Sequence, residues 1–535
     1  MQKFYTVAII GKKICGEIDM NILEKYEAAF NEYKAKNFDE SLKILKEVQA
    51  AAPNWKKANL LEAYILREKG ETVEEFLLVQ KFLSSLEIKS PEEKFLASVA
   101  LNLFGLASLE LSMPESSVEF LRLSAELSEN YSAACVEISN AILSANSSEN
   151  FSEEDFKKLY AEYKKYLSDI TPYPKKFYNH KKIRVGFLSS DFYNHPVIKW
   201  VWALIYKLDK KFFATYCYSA RKDSDVITKN VKVNVENWRD ISDLQEEQAV
   251  KLIREDEIDI LFDLSGHTSG NRLRVAAYRP APVQISGIGY MNSTGLDCFD
   301  YFLSDEICAG GKDYFTEKLI RMSHSHICFE KTTGLEVSPP PCLKKNFVTF
   351  GTFNQFKKIT DSILLAWKKI LDAVPNSRLI LKNKLSKKDS GKEFIANRLK
   401  NFGIDIARVE MRNLTANYLR EYDDVDIALD TFPYTGGVTT CEALYMGVPV
   451  ISLYGKRHGS RFGLSILKNI GLEELAVNSY EDYINRAVAL ANDWELLTIL
   501  RKNLRDMMTK SPLMDSENYI REIEAKFMKI MRDAQ

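Results

Sequence analysis

The sequence predicts a helical domain followed by two α/β domains, each built on a parallel sheet. Three observations indicate this class. Apolar residues recur at helical spacing from about residue 22 to residue 170. After Pro172-Tyr173-Pro174, strand-like apolar runs alternate with helical segments, and the alternation restarts after Pro339-Pro340-Pro341. We therefore expect a helical domain and linker at 1–175, a first lobe at 176–345, and a second lobe with closing helices at 346–535.

The helical part begins with a pair of amphipathic helices. Ile22, Tyr26 and Phe30 lie at helical spacing, and Lys36-Asn37-Phe38-Asp39 interrupts the pattern before it resumes. Two helices, a short turn and a following proline resemble a tetratricopeptide repeat, and a plain helical bundle is the alternative. This part holds no histidine and no Gly-rich loop. We expect it to present a surface to a partner or an acceptor rather than to carry chemistry.

Strand-like runs define the two lobes. Those of the first lobe are 183–188, 213–218, 258–264, 283–288 and 301–303, and those of the second are 347–350, 378–381, 409–411, 425–429 and 448–452. Helical runs between strands imply parallel sheets. Such lobes place a ligand cleft between them, at the carboxyl ends of the strands.

Composition excludes several classes. Lys and Arg number 73 and Asp and Glu 74, so no excess positive charge favours nucleic acid. The eight cysteines contain no Cys-x-x-Cys pair, and no stretch approaches about 18 apolar residues. We expect a cytoplasmic protein with free thiols and no membrane span. We also expect no metal site at the Asp-x-Asp spacing of Asp424 and Asp426, because these residues flank the start of a strand.

The most informative stretch follows the run at 425–429. After Asp430 comes a turn rich in Pro, Thr and Gly, and a helical pattern runs from Gly437 to about Gly447. The first N–H groups of a helix have no internal partner, and glycine lets a ligand approach the backbone closely. We interpret the turn as the holder of a sugar-nucleotide diphosphate. The alternative is a tight turn without a ligand.

Two histidines occupy loops that follow strands of the first lobe. His195 lies in the loop at 189–196 and His267 in the loop at 263–272, although the chain has only six histidines. A neutral imidazole is the usual general base near pH 7. Both are candidate catalytic residues. The alternative is that each caps or braces its loop.

A third loop, 351–359, follows the first strand of the second lobe. Its Gln355, Lys357 and Lys358 can face a diphosphate, and a lysine can stabilise the leaving phosphate. Because adjacent lysines diverge, we expect one of them to point to water.

Five segments together resemble the O-linked N-acetylglucosamine transferase family, in its bacterial form with N-terminal tetratricopeptide repeats. They are 185–196, 263–272, 279–284, 353–358 and 429–449. Each motif alone is weak evidence for the family, but the five motifs in this order are specific for it. The resemblance implies a GT-B fold with two Rossmann-like lobes. It also implies inverting, metal-independent transfer from a UDP-sugar, typically UDP-GlcNAc, to Ser or Thr hydroxyls of proteins, without a cofactor.

The resemblance assigns roles to the catalytic candidates. It places His195 near the acceptor and the sugar, as a candidate base, and His267 near the donor phosphate or sugar. Gln355 and Lys358 match the family's diphosphate-binding residues, which selects Lys358 from the lysine pair.

The resemblance also assigns the nucleotide site. Glu442 matches the carboxylate that holds the ribose, and Tyr418 falls where the family places a ring against uracil. The family's Thr-Thr pair falls at Val438 and Thr439, so one hydroxyl is lost. Backbone N–H groups that follow Gly437 can still bind phosphate.

The sequence thus favours a protein O-GlcNAc transferase that docks a protein acceptor on its helical domain. Met291 replaces the proline that the family has there, and with Val438 it leaves the donor sugar open. The alternatives are a cytoplasmic enzyme that transfers glucose from UDP-glucose to Asn, a catalytically inactive repeat scaffold, and a small-molecule glycosyltransferase.

Overall fold

The structure is a computed structural model that describes residues 20–310, 314–331 and 333–534. The first 19 residues of the predicted helical domain lie outside the described part. Between Met20 and Lys165 the chain forms eight helices, each packed against the next. They are α1 (Met20–Lys34), α2 (Phe38–Ala51), α3 (Lys56–Lys69), α4 (Thr72–Ser84), α5 (Pro91–Glu110), α6 (Pro114–Leu127), α7 (Tyr131–Ala145) and α8 (Glu153–Lys165). The helical prediction is confirmed.

Polar caps define the starts of these helices. The Ser90 hydroxyl accepts the Glu93 N–H at 3.2 Å before α5, whose first residue, Pro91, has no N–H to leave unpaired. Ser152 and Asp155 form a reciprocal capping box before α8. Among the described helices, none combines the length and the apolar character that crossing a membrane requires.

The first lobe is built on a seven-stranded parallel sheet with the order β3-β2-β1-β4-β5-β6-β7. Its strands are β1 (Ile183–Ser189), β2 (Phe213–Ser219), β3 (Asn237–Asp240), β4 (Ile260–Asp263), β5 (Val283–Gly287), β6 (Tyr301–Asp305) and β7 (Lys318–Met322). The sequence did not predict β3 and β7. Both are edge strands with partly exposed residues, so neither needs a continuous apolar run.

The second lobe is built on a six-stranded parallel sheet with the order β10-β9-β8-β11-β12-β13. Its strands are β8 (Thr349–Thr352), β9 (Arg378–Lys382), β10 (Val409–Arg412), β11 (Ile427–Leu429), β12 (Val450–Leu453) and β13 (Ala476–Val477). The two-residue edge strand β13 was not predicted because it is too short to show a pattern. The predicted pair of Rossmann-like lobes is confirmed.

Helices cover both sheets. In the first lobe they are α9 (Ile198–Tyr206), α10 (Val226–Asn234), α11 (Glu246–Glu255) and α12 (Leu273–Ala277), and α13 (Cys342–Lys345) precedes the second sheet. In the second part of the chain they are α14 (Asp361–Ala373), α15 (Asp389–Asn401), α16 (Val438–Tyr445), α17 (Phe462–Asn469), α18 (Tyr480–Ala491), α19 (Trp494–Thr509) and α20 (Ser516–Ala534).

The last helix returns to the first lobe. Phe527 of α20 packs edge-on against Phe213 of β2 and Phe262 of β4. The Glu524 carboxylate accepts the Asp209 N–H at 2.6 Å. The expected domain boundaries, 1–175, 176–345 and 346–535, stay predictions. They do not anticipate that the last helix, α20, packs against the first lobe.

The helical domain packs on both lobes. At the first lobe, the Tyr160 hydroxyl donates to the Ser293 carbonyl at 2.9 Å. At the second lobe, the Glu110 carboxylate lies 3.0 Å from the ammonium groups of both Lys357 and Lys384. Burial favours the neutral form of Glu110, but the two lysines outweigh it and lower its pKa to about 2. A charged contact thus joins the helical domain to the loop that contains Lys358.

Replacing Glu110 with Gln is expected to destabilise the protein by about 1–2 kcal/mol at pH 7, because two lysines lose their counter-charge. The pKa of Glu110 is lower in the folded chain than the unfolded value of about 4.3, so its contribution is present above that value. It is lost as the pH falls towards about 2. Calorimetry from pH 7 to pH 3 should therefore show the melting temperature of the wild type falling towards that of the variant.

The exposed Glu474, changed to Gln, is the matched control and should melt as the wild type does. A difference in melting temperature between the wild type and Glu110→Gln that does not change with pH would contradict the ion-pair explanation.

Candidate active site between the lobes

The Asp430 carboxylate organises the turn that follows β11. Its Oδ1 accepts the N–H groups of Thr431 at 2.8 Å and Gly436 at 2.7 Å, and its Oδ2 accepts the Ser452 hydroxyl at 2.7 Å. The Asn354 amide also donates to Oδ1 at 3.2 Å. One fully buried carboxylate therefore connects the turn, β12 and the loop after β8.

Helix α16 begins directly after this turn, with Gly437 as its N-cap residue. The N–H groups in its first turn have no intrahelical partner and carry the positive end of the helix dipole. A Cβ atom on Gly437 would lie 2.4 Å from Cη2 of Trp200, which comes from α9 of the first lobe. Close contact between the lobes therefore requires glycine here. The Thr439 hydroxyl donates to Oδ1 of Asn354 at 2.8 Å, and Val438 is buried.

Lys358 ends the 3₁₀ turn Phe356–Lys358 and reaches the same place. Its ammonium donates to the Thr435 carbonyl at 3.1 Å and lies 3.5 Å from the centroid of the Tyr434 ring. Burial lowers the pKa of Lys358 to about 7, although the Asp430 carboxylate favours the charged form. A lysine next to an uncompensated helix N-terminus is a site for an anion.

The other two residues of this loop that the sequence offered to a diphosphate, Gln355 and Lys357, diverge from Lys358. The sequence suggested that one lysine of the pair points to water. Lys357 instead pairs with Glu110 of the helical domain. Gln355, the N-cap residue of the 3₁₀ turn, is exposed.

Tyr418 and Glu442, assigned to the nucleotide by the family resemblance, are in contact with each other. The Tyr418 hydroxyl donates to Oε1 of Glu442 at 2.5 Å. Lys199 of α9 pairs with the same oxygen and lies 3.0 Å from the Tyr418 hydroxyl. Only 3% of the Glu442 side chain is exposed, so this carboxylate is held by charge from the opposite lobe.

Sequence reasoning missed Lys199 and Trp200. Both follow the Asn194-His195-Pro196 motif, and an i+4 spacing from His195 is the one sequence signal that could have indicated Lys199. The indole Nε1 of Trp200 is buried without a hydrogen-bond partner, and the six-membered ring of the same indole lies beside Gly437. A buried unpaired donor near an anion-binding turn suits a polar ligand atom.

His195 precedes α9 and is half-buried. Its Nδ1 lies 3.8 Å from Oδ2 of Asp191. Burial lowers the pKa of His195, and the Asp191 charge opposes this shift. Since Lys199 and Trp200 of α9 contact the second lobe, His195 lies at the first-lobe edge of the same cleft.

His267 is fully buried, and both of its ring nitrogens are bonded. Nε2 lies 2.8 Å from the Thr294 carbonyl, which can only accept, so Nε2 carries the hydrogen. Nδ1 then accepts the Ser139 hydroxyl of α7 at 2.9 Å. Burial lowers the pKa of His267 to about 4, so the ring is neutral at pH 7. This placement matches a bracing role, and catalysis by His267 would require one of these bonds to break.

The Asp-x-Asp residues lie at the opposite, amino end of β11. Asp426 accepts the N–H groups of Cys342 at 2.9 Å and Thr349 at 2.8 Å. Asp424 pairs with Arg412 at 2.9 Å and with Lys345 at 3.3 Å. Both carboxylates are thus engaged in structural contacts away from the cleft.

Two facing Rossmann-like lobes, with an anion-binding turn at the carboxyl edge of the second sheet, define a protein of the GT-B class. Within that class, the chain belongs to glycosyl transferase family 41, whose model matches residues 164–335 and 341–523. The resemblance to the O-linked N-acetylglucosamine transferase family that the five motifs indicate is confirmed, and the bacterial form of that family stays a prediction.

Relatives and a solved structure agree with this assignment. The chain is 37% identical over 387 residues to the tomato (Solanum lycopersicum) "Probable UDP-N-acetylglucosamine--peptide N-acetylglucosaminyltransferase SPINDLY", covering 70% of this chain and 41% of that protein. It is 28% identical over 365 residues to the Arabidopsis thaliana enzyme of the same description named SEC, covering 65% of this chain and 37% of that protein. The match thus spans about two fifths of these relatives' length. A mutant Thermobaculum terrenum O-GlcNAc transferase superposes with a TM-score of 0.87 and 27% identity, covering 97% of this chain and 99% of that one.

Proposed function

We propose that the chain transfers N-acetylglucosamine from UDP-GlcNAc to a Ser or Thr hydroxyl of a protein acceptor. One observation carries this proposal: Lys358 and the N-terminus of α16 converge on the turn held by Asp430. Family membership and the descriptions of the relatives supply the reaction class. The UDP-GlcNAc donor is taken from those descriptions and from the motifs.

The reaction forms a bond between the acceptor oxygen and C1 of the sugar while the bond from C1 to the diphosphate oxygen breaks. Attack from the face opposite the leaving group inverts C1. Negative charge grows on the departing UDP, and the Lys358 ammonium and the free N–H groups of α16 can stabilise it. With this compensation, transfer requires no divalent metal, so added Mg²⁺ or Mn²⁺ should not raise the rate.

The acceptor hydroxyl must lose a proton as it attacks. His195 is the candidate base, because it lies at the cleft edge and burial keeps its imidazole neutral. Transfer of the proton through water or a donor phosphate oxygen is the alternative.

The nucleoside is expected to lie between Tyr418 and Glu442. A buried carboxylate suits the two ribose hydroxyls as an acceptor. Oε1 already holds Lys199 and the Tyr418 hydroxyl, so the ribose must use Oε2 or displace one of these partners.

The acceptor is proposed to dock on the helical domain. This domain contacts the loop that contains Lys358, because Ser112 donates to the Ile359 carbonyl at 2.6 Å and Glu110 pairs with Lys357.

Seven described cysteines are free thiols, six of them buried, which supports a cytoplasmic location.

The proposal is tested by incubating the purified protein with UDP-GlcNAc, UDP-GalNAc or UDP-glucose and a co-expressed acceptor. UDP release should be fastest with UDP-GlcNAc, and mass spectrometry should find N-acetylhexosamine on Ser or Thr. Hexose on Asn would replace the proposal with the glucosyltransferase alternative. Absence of UDP binding would favour the inactive scaffold.

Lys358→Met is expected to abolish transfer while the protein stays folded, because the leaving diphosphate loses its nearest positive charge. UDP release measures this loss. The adjacent Lys357→Met is the matched control: it removes the pair with Glu110, so it should lower stability but keep transfer. An active Lys358→Met enzyme would refute the assignment.

Glu442→Ala is expected to weaken UDP binding about tenfold or more, since a charge-assisted hydrogen bond contributes about 1.5–3 kcal/mol. Titration calorimetry measures the affinity, with Glu474→Gln as a control for a remote charge. Unchanged affinity would count against ribose binding by Glu442.

UDP affinity should also fall as the pH rises above about 7. In the free protein Lys358 loses its proton near that pH, and a bound diphosphate favours the protonated form. Binding above pH 7 must then take up a proton, so the affinity falls by up to about tenfold per pH unit. Calorimetry from pH 6 to pH 9 tests this, and in Lys358→Met the dependence should vanish. An equal pH dependence in the variant would place the titrating group elsewhere.

A further inference from the structure

A second cluster of reactive side chains lies away from the nucleotide turn. Cys308 follows β6, His326 follows β7, and His458 begins the 3₁₀ turn His458–Ser460 after β12. All three are buried, with at most 1% exposed. One ligand atom from each lies within 4.8 Å of the others. The cluster therefore joins two residues of the first lobe to one of the second.

Hydrogen bonding fixes the tautomer of His326. Its Nδ1 lies 2.5 Å from Oδ2 of Asp305, a carboxylate that also accepts the N–H groups of Cys308 at 2.6 Å and Ile307 at 2.9 Å. A carboxylate held by backbone N–H groups accepts the Nδ1 hydrogen, so Nε2 of His326 keeps its lone pair. Metal-binding histidines commonly show this carboxylate–imidazole arrangement.

Hydrogen bonding also fixes the tautomer of His458. Its Nδ1 lies 3.2 Å from the Met291 carbonyl, which can only accept a hydrogen bond. The hydrogen therefore sits on Nδ1, and Nε2 offers a lone pair, at present to the Ser304 hydroxyl at 2.9 Å. That hydroxyl also lies 3.3 Å from the Asp305 carbonyl, so it can turn away without losing every partner.

We infer that Cys308, His326 and His458 bind a zinc ion that ties the two lobes together. Two imidazole nitrogens and a thiolate suit Zn²⁺ rather than Mg²⁺ or Ca²⁺, which prefer oxygen. Zinc–ligand bonds of about 2.0–2.3 Å place tetrahedral ligands roughly 3.5 Å apart, so side-chain rotations must draw the three side chains inward, and a water molecule would complete the fourth position.

The charges of such a site balance. Zn²⁺ displaces the proton of the Cys308 thiol, which leaves to solvent, and a Zn–S bond forms. The ion contributes two positive charges, and the Cys308 thiolate and the Asp305 carboxylate contribute one negative charge each. The two negative charges offset the charge of the ion, and the nearby Arg461 guanidinium, which donates to the Ile307 carbonyl at 2.8 Å, leaves one positive charge in the surroundings.

The expected role is structural. Met291, whose carbonyl holds His458, belongs to the loop that follows β5 in the first lobe, and His458 belongs to the second. A metal bridging Cys308, His326 and His458 fixes the relative position of the lobes near this loop. The inference does not depend on the proposed transfer reaction or on the metal-free chemistry at Lys358.

The test uses the whole 535-residue chain, stripped of metal by a chelator and returned to buffer. Zinc titration against a chromophoric chelator should show about one tight site per chain. Substitution with Co²⁺ should give a thiolate-to-metal charge-transfer band in the near ultraviolet. Zinc binding should also raise the melting temperature, because the ion binds only the folded form.

Cys308→Ser should lose the charge-transfer band and weaken zinc binding about 100-fold or more, since the soft ligand is gone. Cys328→Ser is the matched control, since Cys328 is also fully buried but lies outside the cluster. The inference fails if the wild type binds no stoichiometric zinc, if its cobalt form lacks the thiolate band, or if Cys308→Ser binds as the wild type does. Because the cobalt spectrum is recorded on the wild type, the test holds even if the variant does not fold.

Discussion

The site depends on one buried carboxylate, that of Asp430. It follows β11 in the second sheet and accepts the N–H of Gly436, so the chain folds back before α16 begins. Without that bond the N–H groups of α16 would not share a turn with Lys358. Burial raises the pKa of Asp430, and hydrogen bonds from the turn and the charge of Lys358 oppose the shift. The carboxylate and the lysine thus depend on each other.

The two lobes meet through α9. Trp200 packs against Gly437, where a larger residue would clash, and Lys199 pairs with Glu442. These contacts place His195 at the edge of the cleft, opposite the anion-binding turn. In contrast, the helical domain reaches the site from outside, through Glu110 and Lys357. Each functional loop is therefore held by an ion pair or a close contact with a different part of the chain.

The central strands were predictable because buried parallel strands have continuous apolar runs, as in β1 and β11. The edge strands β3, β7 and β13 were not, since they are short or only partly buried. Within the site, the family resemblance carried by contiguous motifs selected Lys358 and Glu442. Lys199 was missed because its partner Glu442 is 243 residues away, and only the folded chain brings the two together. The hydrogen bonds of His267 were missed for the same reason, because its partners Ser139 and Thr294 are remote in sequence.

We propose that the turn at Asp430 binds the donor diphosphate. A crystal structure of the protein with UDP tests it most directly. We expect the diphosphate at the N-terminus of α16, within hydrogen-bond distance of the Lys358 ammonium, and the ribose at Glu442. UDP bound elsewhere, with the N-terminus of α16 and Lys358 in contact only with protein or water, would contradict the claim.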